Sequence, residues 1–268
     1  MRLSASDSVL NAAAEAVYQA QTGRQRLGSF SQLCPGLTAD DAYEIQSRII
    51  RLHQLHGHEK TGYKIAYTSS ATRSRFGIGE PCFGQITSDR VLPSGSPFSI
   101  SAQTVLKAEP EVIFLLGSDL SGPNVTADQA LRAVKAWMPG FELVLPCFSP
   151  KEHELAGEIA ENMSFGAMVC GSPQPPLPME GWSGIKVDFY CGEQLLSQAT
   201  EAEILDGSPI SSLVWLANRL SRSGMHLKKG DYVLSGSPVA PVFLDKGDSI
   251  RAVFEANGLR HSVSTQII

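Results

Sequence analysis

Val105-Leu-Lys-Ala-Glu109-Pro-Glu111-Val-Ile-Phe-Leu-Leu116 is the most informative stretch of this 268-residue chain. Its apolar, β-branched and aromatic content predicts a buried strand. Side chains alternate along a strand, so Glu109 and Glu111 share one face. Two like charges on an apolar strand repel and are poorly solvated unless something positive sits between them. Pro110 has no N–H for a ladder, which predicts an edge or a bulge here. A second apolar run, Trp137-Met-Pro-Gly-Phe-Glu142-Leu-Val-Leu145, again holds one Glu. Three carboxylates without a nearby Cys or His pair suit a hard, oxygen-preferring cation, Mg²⁺ or Mn²⁺ rather than Zn²⁺. Alternatively, Glu109, Glu111 and Glu142 face solvent on half-exposed strands, since nothing local brings Glu142 to the other two.

Around this stretch, short β-branched runs alternate with Gly/Pro punctuation. They predict strands at 64–67, 105–116, 141–145, 165–170, 185–190, 232–235, 250–256 and 260–265. Cys191-Gly192-Glu193 and Ala256-Asn257-Gly258 read as hairpin turns. Helices are expected from near Thr126 to Trp137 and from Ser208-Pro209 to Ser223, the latter stopped by Gly224. Upstream, residues 7–22 form an amphipathic pattern, and Thr38 with Asp41 predicts the capped start of another helix. Residues 1–60 thus read as an N-terminal helical subdomain, followed by a β-rich domain over 61–268. Strands joined by hairpins predict an α+β fold with a mixed, largely antiparallel sheet curled on itself, not a parallel doubly wound sheet.

Composition narrows the function. The chain is 43% hydrophobic, enough for a sizeable core, and carries a net charge of −5. Its densest basic cluster is Lys228-Lys229, so nucleic acid is not an expected partner. Five widely spaced cysteines without a CxxC argue against a disulfide framework and a thiolate zinc site. The first twenty residues lack the apolar run of a signal peptide, and no stretch approaches the roughly 20 apolar residues of a membrane span. A cytoplasmic location without a membrane partner is the expectation.

Two further segments can carry chemistry. Lys64 lies inside a short strand followed by the polar loop Thr68-Ser69-Ser70; it can hold a substrate carboxylate, act as a base, or simply be an exposed strand lysine. Ser235-Gly236-Ser237-Pro238 is a strand end whose backbone N–H groups can cradle an anion, or an ordinary turn. GxGxxG, P-loop, GxSxG and HExxH motifs do not occur.

Gly62-Tyr-Lys64-Ile-Ala-Tyr-Thr68-Ser69 and Phe76-Gly77-Ile-Gly-Glu80-Pro81-Cys-Phe-Gly84 resemble the corresponding region of the 2-oxopent-4-enoate hydratase and 4-oxalocrotonate decarboxylase family, within the fumarylacetoacetate hydrolase superfamily. The similarity continues through Glu109-Pro-Glu111, Phe141-Glu142, Glu161-Asn162-Met-Ser164-Phe-Gly166, Gly207-Ser-Pro209 and Gly230-Asp231…Ser235-Gly236-Ser237, in the same order and spacing over about residues 60–256. The resemblance implies a β-roll core, Mg²⁺ or Mn²⁺ on Glu109, Glu111 and Glu142, a small 2-oxo acid substrate, a homo-oligomer and a setting in aromatic catabolism. It places Lys64 beside the substrate, Glu80 and Cys82 in the catalytic region, and Thr68, Ser69, Asn162, Ser164, Ser235, Gly236 and Ser237 around the substrate. Two departures fall where substrate choice is set. Cys82 stands where family hydratases commonly carry an acid/base Asp, and the stretch 146–158 differs from the family's usual "R-I-x-D-W" segment.

The implied chemistry is Lewis-acid stabilisation of an enolate formed from a 2-oxo acid that chelates the metal. A hydratase acting on a 2-hydroxydienoate or 2-oxo-enoate is the leading expectation, with a decarboxylase of the 4-oxalocrotonate type next. A tautomerase, a C–C hydrolase using His153 with Glu154 or Glu158, and a non-catalytic binding homologue are the further alternatives.

Overall fold

Local sequence signals set the helix starts. Thr38 Oγ1 accepts from Asp41 N at 3.2 Å while the Asp41 carboxylate accepts from Thr38 N at 2.9 Å, closing the expected capping box. Ser208 caps a helix that begins at Pro209, where proline's missing N–H is harmless. Asn257 (φ 50°) and Gly258 (φ 75°) form the two-residue left-handed turn that the Asn-Gly pair predicts.

The computed structural model describes residues 3–23, 25–101, 104–149 and 153–268. Helices α1 (Asp7–Gly23), α2 (Phe30–Leu33) and α3 (Ala39–Leu55) precede β1 (Lys60–Ala66), α4 (Ser70–Phe76) and β2 (Cys82–Thr87). Short β3 (Val91–Pro93) and β4 (Pro97–Phe98) lead to β5 (Leu106–Leu116), α5 (Ala127–Ala133), β6 (Val134–Val144), α6 (Leu155–Ala160) and β7 (Phe165–Cys170). The hairpin β8 (Lys186–Cys191) and β9 (Gln194–Thr200) is followed by α7 (Pro209–Ser221), β10 (Tyr232–Leu234), β11 (Val242–Leu244), β12 (Ser249–Ala256) and β13 (Leu259–Ile267).

The larger sheet runs β2-β1-β10-β5-β6-β7-β3, with β11 also on β5; the smaller runs β4-β13-β12-β8-β9. Only β1/β10, β3/β7 and β4/β13 pair in parallel among the described strands, so the fold is mixed and largely antiparallel as expected. One apolar cluster links the two sheets and the N-terminal helices, with Leu10, Ile45, Phe141, Phe189 and Phe254 all within it. Helix α3 packs on β2 through Tyr43 stacked on Phe83 at 4.6 Å, and buried Gln46 donates to Phe83 O and Ile159 O at 3.0 Å.

Two departures from the sequence expectation concern the strands around the site. The helix expected over 126–137 stops at Ala133, because Val134–Trp137 pairs with β5 as the start of β6. Pairing with a central strand there overrides local propensity. Strand β2, which carries no alternation and contains a glycine, is not among the expected strands; all six of its residues are buried. Gly84 is needed there because a Cβ would meet Asn162 O at 2.7 Å.

Candidate metal centre and substrate cavity

The pairing of β5 with β6 sets Glu109 directly opposite Glu142, with Glu111 two residues along on the same face. One carboxylate oxygen from each of the three lies within 4.8 Å of the others. Glu111 and Glu142 are each 1% exposed. Strand β5 is interior, but β10 covers only Ile113–Leu115 and β11 only Leu106–Ala108. Residues 109–111 thus form a local edge between them. Val112 O accepts from Ser235 N at 3.1 Å; backbone polarity alternates, so Pro110 turns its missing donor to that same side.

Lys64 reaches the cluster from β1, its Nζ 2.7 Å from Glu142 Oε1, and is 3% exposed. Strands β1 and β10 are parallel and in register at Lys64↔Leu234. Their outgoing loops, Thr68-Ser69 and Ser235–Ser237, therefore leave the sheet side by side. Gly236 (φ 97°) donates its N–H to Glu111 Oε2 at 2.7 Å. A Cβ at Gly236 would meet Thr68 Cγ2 and Oγ1 at 2.5 Å. Gly236→Ala is expected to push these loops apart and break the Glu111 contact. We expect a drop in kcat/KM of at least about tenfold, the scale of one lost hydrogen bond to a charged group, with a native circular-dichroism spectrum. Unchanged kcat/KM would show that the contact is dispensable.

Burial and the neighbouring Glu142 carboxylate push Glu109 up to about 7, against the pull of Lys64 and Lys107. Burial, Glu142 and Glu109 drive Glu111 well above the usual carboxylate range. Burial lowers the Lys64 ammonium, but the Glu142 charge outweighs this and holds it above its ordinary value. Three carboxylates share one ammonium, and the repulsion that raises Glu109 and Glu111 is what a bound cation would relieve. Glu109 accepts no hydrogen bond among the described residues. An all-oxygen donor set of three mutually repelling carboxylates fits a hard divalent cation such as Mg²⁺ or Mn²⁺.

The three glutamates and Lys64 open onto a cavity of about 570 Å³. Of the residues the resemblance places around the substrate, Thr68, Ser69, Ser164, Gly236 and Ser237 line it. Four candidates are not on its wall among the described residues. Glu80 is drawn to Arg222 (2.9 Å) and Arg219 (3.4 Å). Cys82 opens β2, pairs with Ala66 and is 5% exposed. Burial pushes its thiol up to about 11, so it is a poor substitute for an acid/base carboxylate. Asn162 braces β2, accepting from Gln85 N (2.6 Å) and donating to Gln85 O (2.8 Å). Ser235 is fully buried behind the turn that Gly236 and Ser237 present.

Residues without a role in the sequence reading also line the cavity: Tyr67, Arg75, Phe76, Lys107 and Glu203. Lys107 was accessible from strand periodicity, since 107, 109 and 111 share a face. Of the variant stretch 146–158, positions 150–152 lie outside the described residues. Cys147 N and Phe148 N donate to Glu161 Oε2 at 2.7 and 2.9 Å, tying it down. Of the two glutamates considered as His153 partners, Glu154 turns away to Phe30 N (2.7 Å), whereas Glu158 Oε1 lies 3.4 Å from His153 Nε2.

The family model described as fumarylacetoacetate (FAA) hydrolase C-terminal matches residues 68–264. The chain belongs to the fumarylacetoacetate hydrolase family. Within that family it is similar to a 2-keto-4-pentenoate hydratase of Paraburkholderia xenovorans, 30% identical over 258 residues, covering 91% of this chain and 94% of the relative. It is 31% identical over 223 residues to a 4-oxalocrotonate decarboxylase of a Pseudomonas species, covering 81% and 86% of the two chains. A solved 4-oxalocrotonate decarboxylase from Pseudomonas putida G7, complexed with magnesium and adipate, has the same fold. The TM-score is 0.92 at 24% identity, with 100% of both chains covered. This fumarylacetoacetate hydrolase family member thus carries its three glutamates inside the segment that the family model spans, with Lys64 four residues before its start.

Proposed function

We propose that the protein is a divalent-metal-dependent lyase: a hydratase acting on a small 2-hydroxydienoic or 2-oxo-enoic acid. The carrying observation is the cluster of half-buried Glu109 with buried Glu111 and Glu142, Lys64 Nζ 2.7 Å from Glu142, opening on one cavity. Mg²⁺ or Mn²⁺ held by the three glutamates supplies Lewis-acid polarisation of a 2-oxo group. Lys64, held as an ammonium by Glu142, donates to the anionic end of the substrate and orients it. Thr68 and Ser69 hydroxyls and the Ser237 hydroxyl add donors around that end, and Gly236 fixes Glu111. Relatives named as hydratases support this reading. The 31% identical decarboxylase supports the second one, loss of CO₂ from a 4-oxalocrotonate-like acid.

The proposal includes a cytoplasmic homo-oligomer. The functional test is ultraviolet absorbance of 2-hydroxydienoates and oxalocrotonate-like acids with Mg²⁺ or Mn²⁺. Metal-dependent loss of dienoate absorbance with formation of a 4-hydroxy-2-oxo acid is expected. CO₂ release from the dicarboxylic acid instead would establish the decarboxylase reading. Inertness toward both, in metal-loaded protein, would contradict the assignment.

A further inference from the structure

Away from the carboxylate cluster, the same cavity wall holds a second group of titratable side chains. Tyr67 Oη donates to Glu158 Oε2 and lies 2.9 Å from His153 Nε2; His153 Nε2 in turn lies 3.4 Å from Glu158 Oε1. Phe76 stacks on the His153 ring at 4.4 Å and fixes its plane. All four residues line the cavity. Tyr67 comes directly after β1, three residues beyond Lys64, and lines the same cavity as Lys64 and the glutamates.

The Tyr67 backbone is in the left-handed region, φ 61°, which a bulky aromatic residue avoids. Arg73 holds it there, one guanidinium nitrogen donating to Tyr67 O and Thr68 O at 2.7 Å each. Such conformations cost about 1–3 kcal/mol and persist where the surroundings enforce them. Here the enforced bend turns the phenol into the cavity. Meanwhile Cys82, at the family's acid/base position, lies off the cavity wall, so proton transfer needs another donor.

We propose that Tyr67 is the catalytic acid at the far carbon of the substrate, with His153 and Glu158 as its proton relay to solvent. This rests on the 2-hydroxydienoate reading of the site. On 2-hydroxypenta-2,4-dienoate, the C4=C5 electron pair takes the Tyr67 proton to form a C5–H bond. The C2=C3 pair moves to C3=C4. The 2-hydroxyl O–H breaks, its electrons completing C2=O and its proton leaving to water. His153 passes a proton to Tyr67 Oη and regains one from solvent, so the enzyme returns to its starting state. Burial and Glu158 drive the Tyr67 hydroxyl far above its ordinary value, disfavouring a free phenolate. The proton must be replaced as it leaves, and His153 is within reach to do it.

The dienol has two nucleophilic carbons, C3 and C5, and the position of the acid decides between them. The test uses the metal-loaded full chain and Tyr67→Phe, with the dienoate in D₂O and deuterium located by NMR. Wild type is expected to deuterate C5. In Tyr67→Phe, kcat for C5 deuteration should fall about 100-fold and the share at C3 should rise. Mn²⁺-dependent binding of oxalate, which engages only the near end, should stay within about twofold of wild type. His153→Gln should shift the C5:C3 ratio in the same direction. An undiminished C5 rate in Tyr67→Phe overturns the proposal, as does an equal loss at both carbons with the ratio unchanged. Wild-type protein that neither binds oxalate with Mn²⁺ nor ketonises the dienoate overturns the functional assignment itself, and this inference with it.

Discussion

Glu111→Gln is expected to stabilise the metal-free protein while abolishing its response to metal. Glu111 is 1% exposed and shares its face with two other carboxylates. Glutamine keeps an oxygen to accept from Gly236 N–H but removes a buried charge that Glu109 and Glu142 repel. Losing that repulsion should raise the apo Tm by a few degrees, since about 1 kcal/mol moves a domain of this size by 2–4 °C. Mg²⁺ should raise the Tm of wild type through selective binding to the folded state and leave the variant nearly unmoved. Turnover should fall at least about 10³-fold, the equivalent of roughly 4 kcal/mol of lost transition-state stabilisation. Thermal scans with and without Mg²⁺ check both signs. An apo protein destabilised by the substitution, with its Mg²⁺ shift intact, would show that these carboxylates do not compete for one cation.

Lys64→Met should behave in the opposite way. Its ammonium is the positive partner of the acidic cluster, 2.7 Å from the buried Glu142. Removing one member of a buried ion pair strands the other, a loss of about 3–5 kcal/mol, or on the order of 10 °C in apo Tm at 2–4 °C per kcal/mol. Saturating Mg²⁺ should recover much of that stability, because the cation supplies the missing positive charge. Activity should not return with it: kcat/KM is expected to stay about 10²–10⁴-fold down, because no cation on the glutamates replaces the lysine's orienting donor. Full recovery of kcat/KM by Mg²⁺ would reduce Lys64 to a structural counter-ion.

Parts of this arrangement were legible in the chain. Strand periodicity alone puts Glu109 and Glu111 on one face, and Pro110 signals an interrupted ladder. The interruption lies inside the sheet, in the gap between β10 and β11, because two short strands share one side of β5. Glu142 could not be brought to the pair locally, since its position opposite Glu109 follows from the register of a long antiparallel pairing. The helix expected to reach Trp137 failed for the same reason: β5 recruits Val134–Trp137 as strand. Tyr67 and His153 were hidden differently. Their contact joins residues 86 apart in sequence and depends on a left-handed tyrosine pinned by Arg73. Cys82 was read by motif position, but its place at the β1/β2 pairing buries it beside Tyr43 and off the cavity wall.

A crystal structure with Mn²⁺ and oxalate is the most direct test of the three-carboxylate centre. The anomalous map should show one strong peak about 2.0–2.3 Å from an oxygen of each of Glu109, Glu111 and Glu142, with oxalate completing the coordination. Saturating Mn²⁺ that leaves no peak among these three side chains would contradict the account.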